Sequence, residues 1–374
     1  MKTIELFYIV IVYVIFLCSC QRQPSFVVSG TVSKPGLEGK KALLMVDDGT
    51  SEKLRMDSTT IVDGKYTFKG GVEKAKTASI VLNLHGKKVV WVNFVLENDD
   101  ITVKTDVDGW SVVSGTVSND EFQEFKNAKR PHDEQVHKFY QDYNAAMTSG
   151  TLTPEQEKKM SEEVRRYRAT MDSLTFCFIK NNVNNPAAWQ ELKGFAVSQP
   201  IEKQREMLSD ATEQTLKEPL VAEVVQRIRA FGQTAEGQSY TDFRMLTPGG
   251  EEMALSDYVG KEKYVLIDFW SSWCGPCRAE MPDMIAIYNR YKDKGFEIIG
   301  VSLDSKREAW VKAIQDLKLP WPQMSDLKRW DCVGAKIYAV PAIPYTILLD
   351  KNGKILARNL HGEELERKLI ELLE

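Results

Sequence analysis

Apolar positions repeat along this chain with a period of two at first, then of three to four, and finally with both in alternation. The first regime runs from Phe26 to about Val113. Short alternating runs occur at Phe26–Val32, Ala42–Val46, Lys65–Lys69, Ser79–Leu84, Val89–Leu96 and Ile101–Val103. Between them stand turn-forming pairs: Asp48-Gly49, Asp63-Gly64, Gly70-Gly71, Asp99-Asp100 and Asp108-Gly109. Short strands punctuated in this way predict an all-β sandwich or barrel-like module over residues 26–116. No catalytic constellation is visible there, and His85 and Trp91 read as structural.

The second regime, residues 117–231, is helical and charged. Ser118-Asn119-Asp120-Glu121 suits a helix start, with Phe122, Phe125 and Ala128 at helical spacing. Thr153-Pro154 opens a second helix, with a capping threonine and a proline in the first turn. Its apolar positions are Met160, Val164, Tyr167, Met171, Leu174 and Phe178. Asn185-Pro186 ends it, and a further helix is expected from Pro219 to Phe231. This helical connector packs on its neighbours or serves as an arm for client proteins. Cys177, between two phenylalanines, reads as a core residue. Residues 232–241, with Gly, Gln, Thr and Ser, read as a linker.

Residues 242–374 alternate strands and helices. A hairpin is expected at Asp242–Leu255, and strands at Tyr264–Trp270 and Phe296–Leu303. A helix runs from Cys274 to about Lys294, and another spans Lys306–Leu317. A closing hairpin spans Tyr345–Asp350 and Ile355–Asn359, and a last helix starts at Glu363. That order predicts an α/β sheet with helices on both faces.

The first residues change where the protein is expected to work. Leu6–Leu17 is almost wholly apolar, too short for a mature membrane span but suited to a signal segment. It ends in Leu17-Cys18-Ser19-Cys20, the pattern of a lipoprotein signal cleaved after Ser19. Residues 1–19 are thus expected as signal peptide, Cys20 as the lipidated residue, and 20–25 as a tether. An ordinary secretory signal is the alternative. Lipidation would anchor the protein to a membrane, facing the periplasm of a bacterial envelope. The net charge is −4 with both signs mixed, so nothing argues for nucleic acid.

The six cysteines include one pair with chemistry in its spacing: Trp273-Cys274-Gly275-Pro276-Cys277, directly after an apolar strand. Cys274 would stand at a helix N-terminus, where free backbone N–H groups and the macrodipole favour the thiolate, the reactive form. Cys277 would lie one turn on, within disulfide reach. Gly275 allows a tight turn, and Pro276 suits the first helical turn. A zinc site would need two more ligands at matching spacing, which the remaining cysteines and the four histidines do not supply. No metal or cofactor is expected.

The motif resembles thioredoxin, and the sequence from about Asp242 onward resembles the TlpA-like thiol–disulfide oxidoreductases. "DFRMLTPGGEEMALSDYVGKEKYVLIDFWSSWCGPCRAEMP" and "VPAIPYTILLDKNGKI" hold the resemblance. "MDSTTIVDGKYTFKG" and "FVLENDDITV" resemble a β-module of unknown function that often precedes such domains. The resemblance implies a thioredoxin-like C-terminal domain in which Cys274 attacks and Cys277 resolves. Asp268 matches thioredoxin's buried acid; between apolar strand neighbours its pKa should rise. Glu280 matches a family carboxylate near the pair, and Pro282 should bend the helix. Ile343-Pro344 matches the cis-proline loop that meets the client, with Trp273 as an apolar docking surface beside it. Cys332 reads as a bystander. The implied partners are client proteins with disulfides or thiols and a membrane or periplasmic electron donor. The Gly-Pro dipeptide favours reduction of clients. The alternatives are a thiol peroxidase, for which no Pro-x-x-x-Thr-x-x-Cys pattern is present, and an envelope binding module with secondary redox activity.

Overall fold

The computed structural model describes residues 25–33, 36–46, 54–84 and 88–374. The expected signal peptide, Cys20 and His85 lie outside them. The described residues form two compact units, the first ending at Lys126 and the second running from Asn127 to Glu374.

The first unit is a sandwich of two four-stranded sheets. Its strands are β1 (Phe26–Val32), β2 (Lys41–Val46), β3 (Leu54–Thr60), β4 (Lys65–Gly70), β5 (Lys76–Leu84), β6 (Lys88–Leu96), β7 (Asp100–Thr105) and β8 (Ser111–Ser114). One sheet has the order β4-β1-β7-β8 and the other β3-β2-β5-β6. Alternate residues of both sheets, among them Val28, Phe68, Ile101, Leu44, Ile80 and Phe94, meet in one core. Burying each such side chain is worth about 1.5–3 kcal/mol. Gly30 is required by close packing: a Cβ there would stand 1.9 Å from the Tyr66 ring. Two strands go beyond the alternating runs. β3 has the polar sequence LRMDSTT at a sheet edge, and β8 has only four residues. Trp91 is 52% exposed on β6, so it adds little to the core.

Helix α1 (Val117–Ser149) begins in this unit. Asn119 accepts from Val95 N–H and donates to Val95 C=O, each at 2.8 Å, as a neighbouring strand would. It thereby satisfies backbone groups at the edge of its sheet.

The second unit holds the rest of α1 and helices α2 (Pro154–Asn181), α3 (Pro186–Val197), α4 (Ile201–Met207) and α5 (Pro219–Gln233). Thr153 and Gln156 cap α2 reciprocally, worth about 1 kcal/mol. Ile179, Trp189, Leu192, Met207, Val221 and Val224 form the helical core. Cys177 is exposed, contrary to the sequence reading. The buried stripe of α2 passes through Thr175, Phe178 and Ile179, and Cys177 falls on the other side of the helix.

The C-terminal sheet has the order β13-β12-β11-β14-β15. Its strands are β11 (Tyr264–Trp270), β12 (Phe296–Ser302), β13 (Gln323–Met324), β14 (Tyr345–Asp350) and β15 (Ile355–Arg358). β11 pairs in parallel with β12 and antiparallel with β14. One face carries residues of α6 (Gly275–Tyr291), α7 (Arg307–Leu317) and α9 (Gly362–Leu373). The other carries the hairpin β9 (Arg244–Leu246) and β10 (Glu252–Ala254), with α8 (Val333–Ile337). This is a thioredoxin-like domain, and α6 continues through Pro282.

The expected linker at 232–241 is instead tied to the sheet. Gly237 N–H donates to Ile355 C=O, Ile355 N–H to Gln238 C=O, and Tyr240 N–H to Gly353 C=O, at 2.7–2.8 Å. Arg358 on β15 reinforces the join. It donates to the Thr234 and Tyr338 carbonyls and to the Tyr345 hydroxyl, with its guanidinium 4.8 Å from the Phe231 ring centre. Flexible composition did not decide the outcome, because backbone pairing uses no side chains.

Candidate active site

Strand alternation sets the site. On β11, Val265, Ile267 and Phe269 face the core containing α8, whereas Leu266 and Trp270 face the core containing α6. Asp268 therefore points to the α6 side, toward the cysteine pair. Its neighbours in register are Gly300 on β12 and Thr346 on β14.

Cys274 and Cys277 form a disulfide with an S–S distance of 2.02 Å. Cys274 is the N-cap of α6, and the Cys277 N–H points at its Sγ from 3.2 Å. In the reduced protein that N–H and the helix dipole would stabilise a Cys274 thiolate. In the disulfide state Cys274 is 5% exposed and Cys277 fully buried, so the Cys274 sulfur is less open than its position in the sequence suggests. Gly275 has no left-handed conformation and open space where a Cβ would stand. Neither a left-handed turn nor a close neighbour therefore requires glycine at this position. Pro276 fills the first turn as expected.

The Ile343–Pro344 bond is cis, and the Ile343 carbonyl oxygen lies 3.7 Å from Cys274 Sγ. The disulfide has no proton to give, so this is a contact of two acceptors. Trp273 is 48% exposed beside the pair, with the Arg329 guanidinium 6.0 Å from its ring centre.

Asp268 is buried, and its Oδ2 has no hydrogen-bond partner. Burial, with a further push from the Glu280 charge, raises its pKa from 3.8 to about 7. A carboxyl held near neutrality can take a proton from a thiol and return it.

Two residues of the site escaped the sequence reading. Buried Asp304, just after β12, accepts from the Ser272 N–H at 2.9 Å and from the Ser302 hydroxyl at 2.8 Å, fixing the loop before the motif. Its position beyond the C-terminal end of a parallel strand was the available signal. His361 Nδ1 lies 3.0 Å from Glu280 Oε2, across 81 residues of sequence, and no local signal marks it. Cys332 is buried on the opposite face of the sheet, and burial pushes its thiol up to about 11. Among the described residues, no group of three or more His, Cys, Asp or Glu side chains is placed to hold a metal.

Residues 237–358 match the AhpC/TSA family, and residues 26–122 match a domain of unknown function (DUF4369). The chain is similar to the thiol-disulfide oxidoreductase ResA of Bacillus thuringiensis subsp. konkukian. The two are 34% identical over 137 residues, covering 37% of this chain and 76% of the relative. It is also similar to the thioredoxin-like protein YneN of Bacillus subtilis, 37% identical over 142 residues, covering 36% of this chain and 78% of the relative. Among solved structures, a thiol-disulfide oxidoreductase from Bacteroides fragilis is 39% identical, covering 36% of this chain and all of that one, with a TM-score of 0.35.

Proposed function

The chain belongs to the thioredoxin-like thiol–disulfide oxidoreductases, and we propose that it works as a lipid-anchored envelope reductase of client proteins. The observation that carries the reading is the Cys274–Cys277 disulfide at the head of α6, with Asp268 buried on the same side of the sheet. The reduced Cys274 thiolate attacks one sulfur of a client disulfide, and the other client sulfur leaves as a thiolate. A mixed disulfide between Cys274 and the client results. Asp268 accepts the Cys277 proton, and the Cys277 thiolate attacks Cys274 Sγ. The client's second sulfur leaves, and the Cys274–Cys277 disulfide forms. Two electrons have passed to the client. An external dithiol donor must restore the pair.

The exposed Trp273 and the Ile343 carbonyl flank the sulfur that attacks. They suit an extended client segment that gives an apolar side chain to the indole and a backbone N–H to the carbonyl. Export and anchoring rest on the apolar Leu6–Leu17 run and Cys20; reduction as the direction rests on the Gly-Pro dipeptide.

The test is insulin reduction by the purified protein, paired with trapping by a Cys277→Ala variant in cells. Turnover by the wild type and a covalent complex resolved by reductant support the reading. No turnover and no complex would remove it. Hydrogen peroxide in place of insulin tests the peroxidase alternative in the same assay.

A further inference from the structure

His361 stands at the start of α9, as its N-cap, with 25% of its side chain exposed. Its Nδ1 meets Glu280 Oε2 at 3.0 Å, and its Nε2 meets Asn359 Oδ1 at 3.1 Å. The ring is therefore held at both nitrogens. His361 and Glu280 also line a cavity of about 220 Å³, with Asp283, Met284 and Ile287 of α6 and with Gly362. The cavity has room for several waters, and both side chains of the pair are partly exposed, whereas Asp268 is buried.

We propose that His361 is a positioning residue: by holding Glu280 it sets the charge that Glu280 presents to the buried Asp268. The Glu280 carboxylate already acts on Asp268 through space, favouring the protonated acid. A protonated imidazole beside Glu280 cancels much of that field. A neutral imidazole leaves Glu280 to act unopposed. The ionisable groups that share the cavity or the first turn of α9 are Asp283, Glu363 and Glu364, all acidic, and Arg278 stands two residues before Glu280 on α6. Effects of His361 on the exchange reaction rest on the reading of Asp268 as the acceptor for Cys277. Its effect on Asp268 itself does not.

The test separates these two. The carbon-13 signal of the Asp268 carboxyl is titrated by NMR in the oxidised full chain. The wild type is compared with His361→Gln, Glu280→Gln and the double variant. His361→Gln should move the midpoint up by about 0.5–1 pH unit, and Glu280→Gln should move it down. The double variant should match Glu280→Gln alone, since His361 acts only through Glu280. An unchanged midpoint in His361→Gln overturns the proposal. So does a His361→Gln shift of equal size in both backgrounds.

The second readout uses the reduced protein in a Cys177→Ser background, because Cys177 is exposed. With dithiobis(nitrobenzoate), Cys274 releases the first nitrothiobenzoate and Cys277 releases the second. The pH profile of the second step should shift with the NMR midpoint. NMR shifts without kinetic ones would keep the role of His361 and overturn Asp268 as acceptor. Kinetic shifts without NMR ones would overturn the role of His361.

Discussion

Replacing Asp268 by asparagine should stabilise the protein in alkali and not in acid. The unfolded chain holds this carboxyl at 3.8, and the fold raises it to about 7. Below pH 3.8 both states hold the proton. As pH rises from there to about 7, the unfolded state releases its proton while the folded state retains it, so stability falls. Above about 7 the loss is complete. At about 1.4 kcal/mol per tenfold change, the full loss is about 4 kcal/mol. Of that, about 2 kcal/mol is already lost at pH 5 and nearly all of it at pH 8. Asparagine escapes this loss but places amide N–H donors where an oxygen already lacks a partner, a pH-independent cost of about 1–3 kcal/mol. The variant should thus gain about 2–3 kcal/mol on the wild type between pH 5 and pH 8, whatever the constant cost. Urea unfolding of the oxidised protein, read by pulsed hydrogen exchange in the peptide containing Tyr264–Trp270, follows the sheet itself. The same difference between variant and wild type at both pH values would refute the placement of Asp268 as a desolvated acid.

Three further outcomes are expected. In the reduced protein, iodoacetamide at mildly acidic pH should label Cys274 before Cys277, since Cys277 is fully buried and Cys274 receives the Cys277 N–H; peptide mapping that finds Cys277 first would reverse their roles. Arg358→Ala should destabilise the second unit by about 2–5 kcal/mol, because it strands the carbonyls of Thr234 and Tyr338. Unchanged exchange protection at residues 232–240 would show that the arginine is dispensable. Cys20→Ser should move the protein from the membrane to the soluble envelope fraction, and unchanged partitioning would remove the lipid anchor.

Legibility in the sequence tracked how local each cause was. Strands β11 and β12 are buried on both faces and read directly as apolar runs. The Cys274–Cys277 pair was equally plain, because a helix N-cap and a first-turn proline are local features. Asp268 was marked by the resemblance to thioredoxin, and its apolar strand neighbours implied a raised pKa. Strand β3 was hidden because an edge strand needs little apolar surface. Residues 237–240 read as linker because backbone pairing leaves no trace in composition. Cys177 was misplaced because the helical stripe through Thr175, Phe178 and Ile179 decides burial on α2, and a phenylalanine on either side does not. The Glu280–His361 pair and the Asp304 anchor join residues 81 and 32 apart in sequence, and only the assembled domain brings them together.

The sheet that separates Cys332 from the active pair also limits how the protein trades with its neighbours. The free cysteines of the described residues are Cys332, buried behind β11, and Cys177, on α2 of the helical region. Neither shares the face of the sheet that holds Cys274 and Cys277. Among the described residues, the site therefore stores one electron pair at a time and has no adjacent thiol to forward it. Client and donor must visit the same sulfur in turn, each leaving before the other arrives. Steady-state kinetics should show parallel lines in double-reciprocal plots, and an excess of either visitor should slow the enzyme by occupying the berth the other needs.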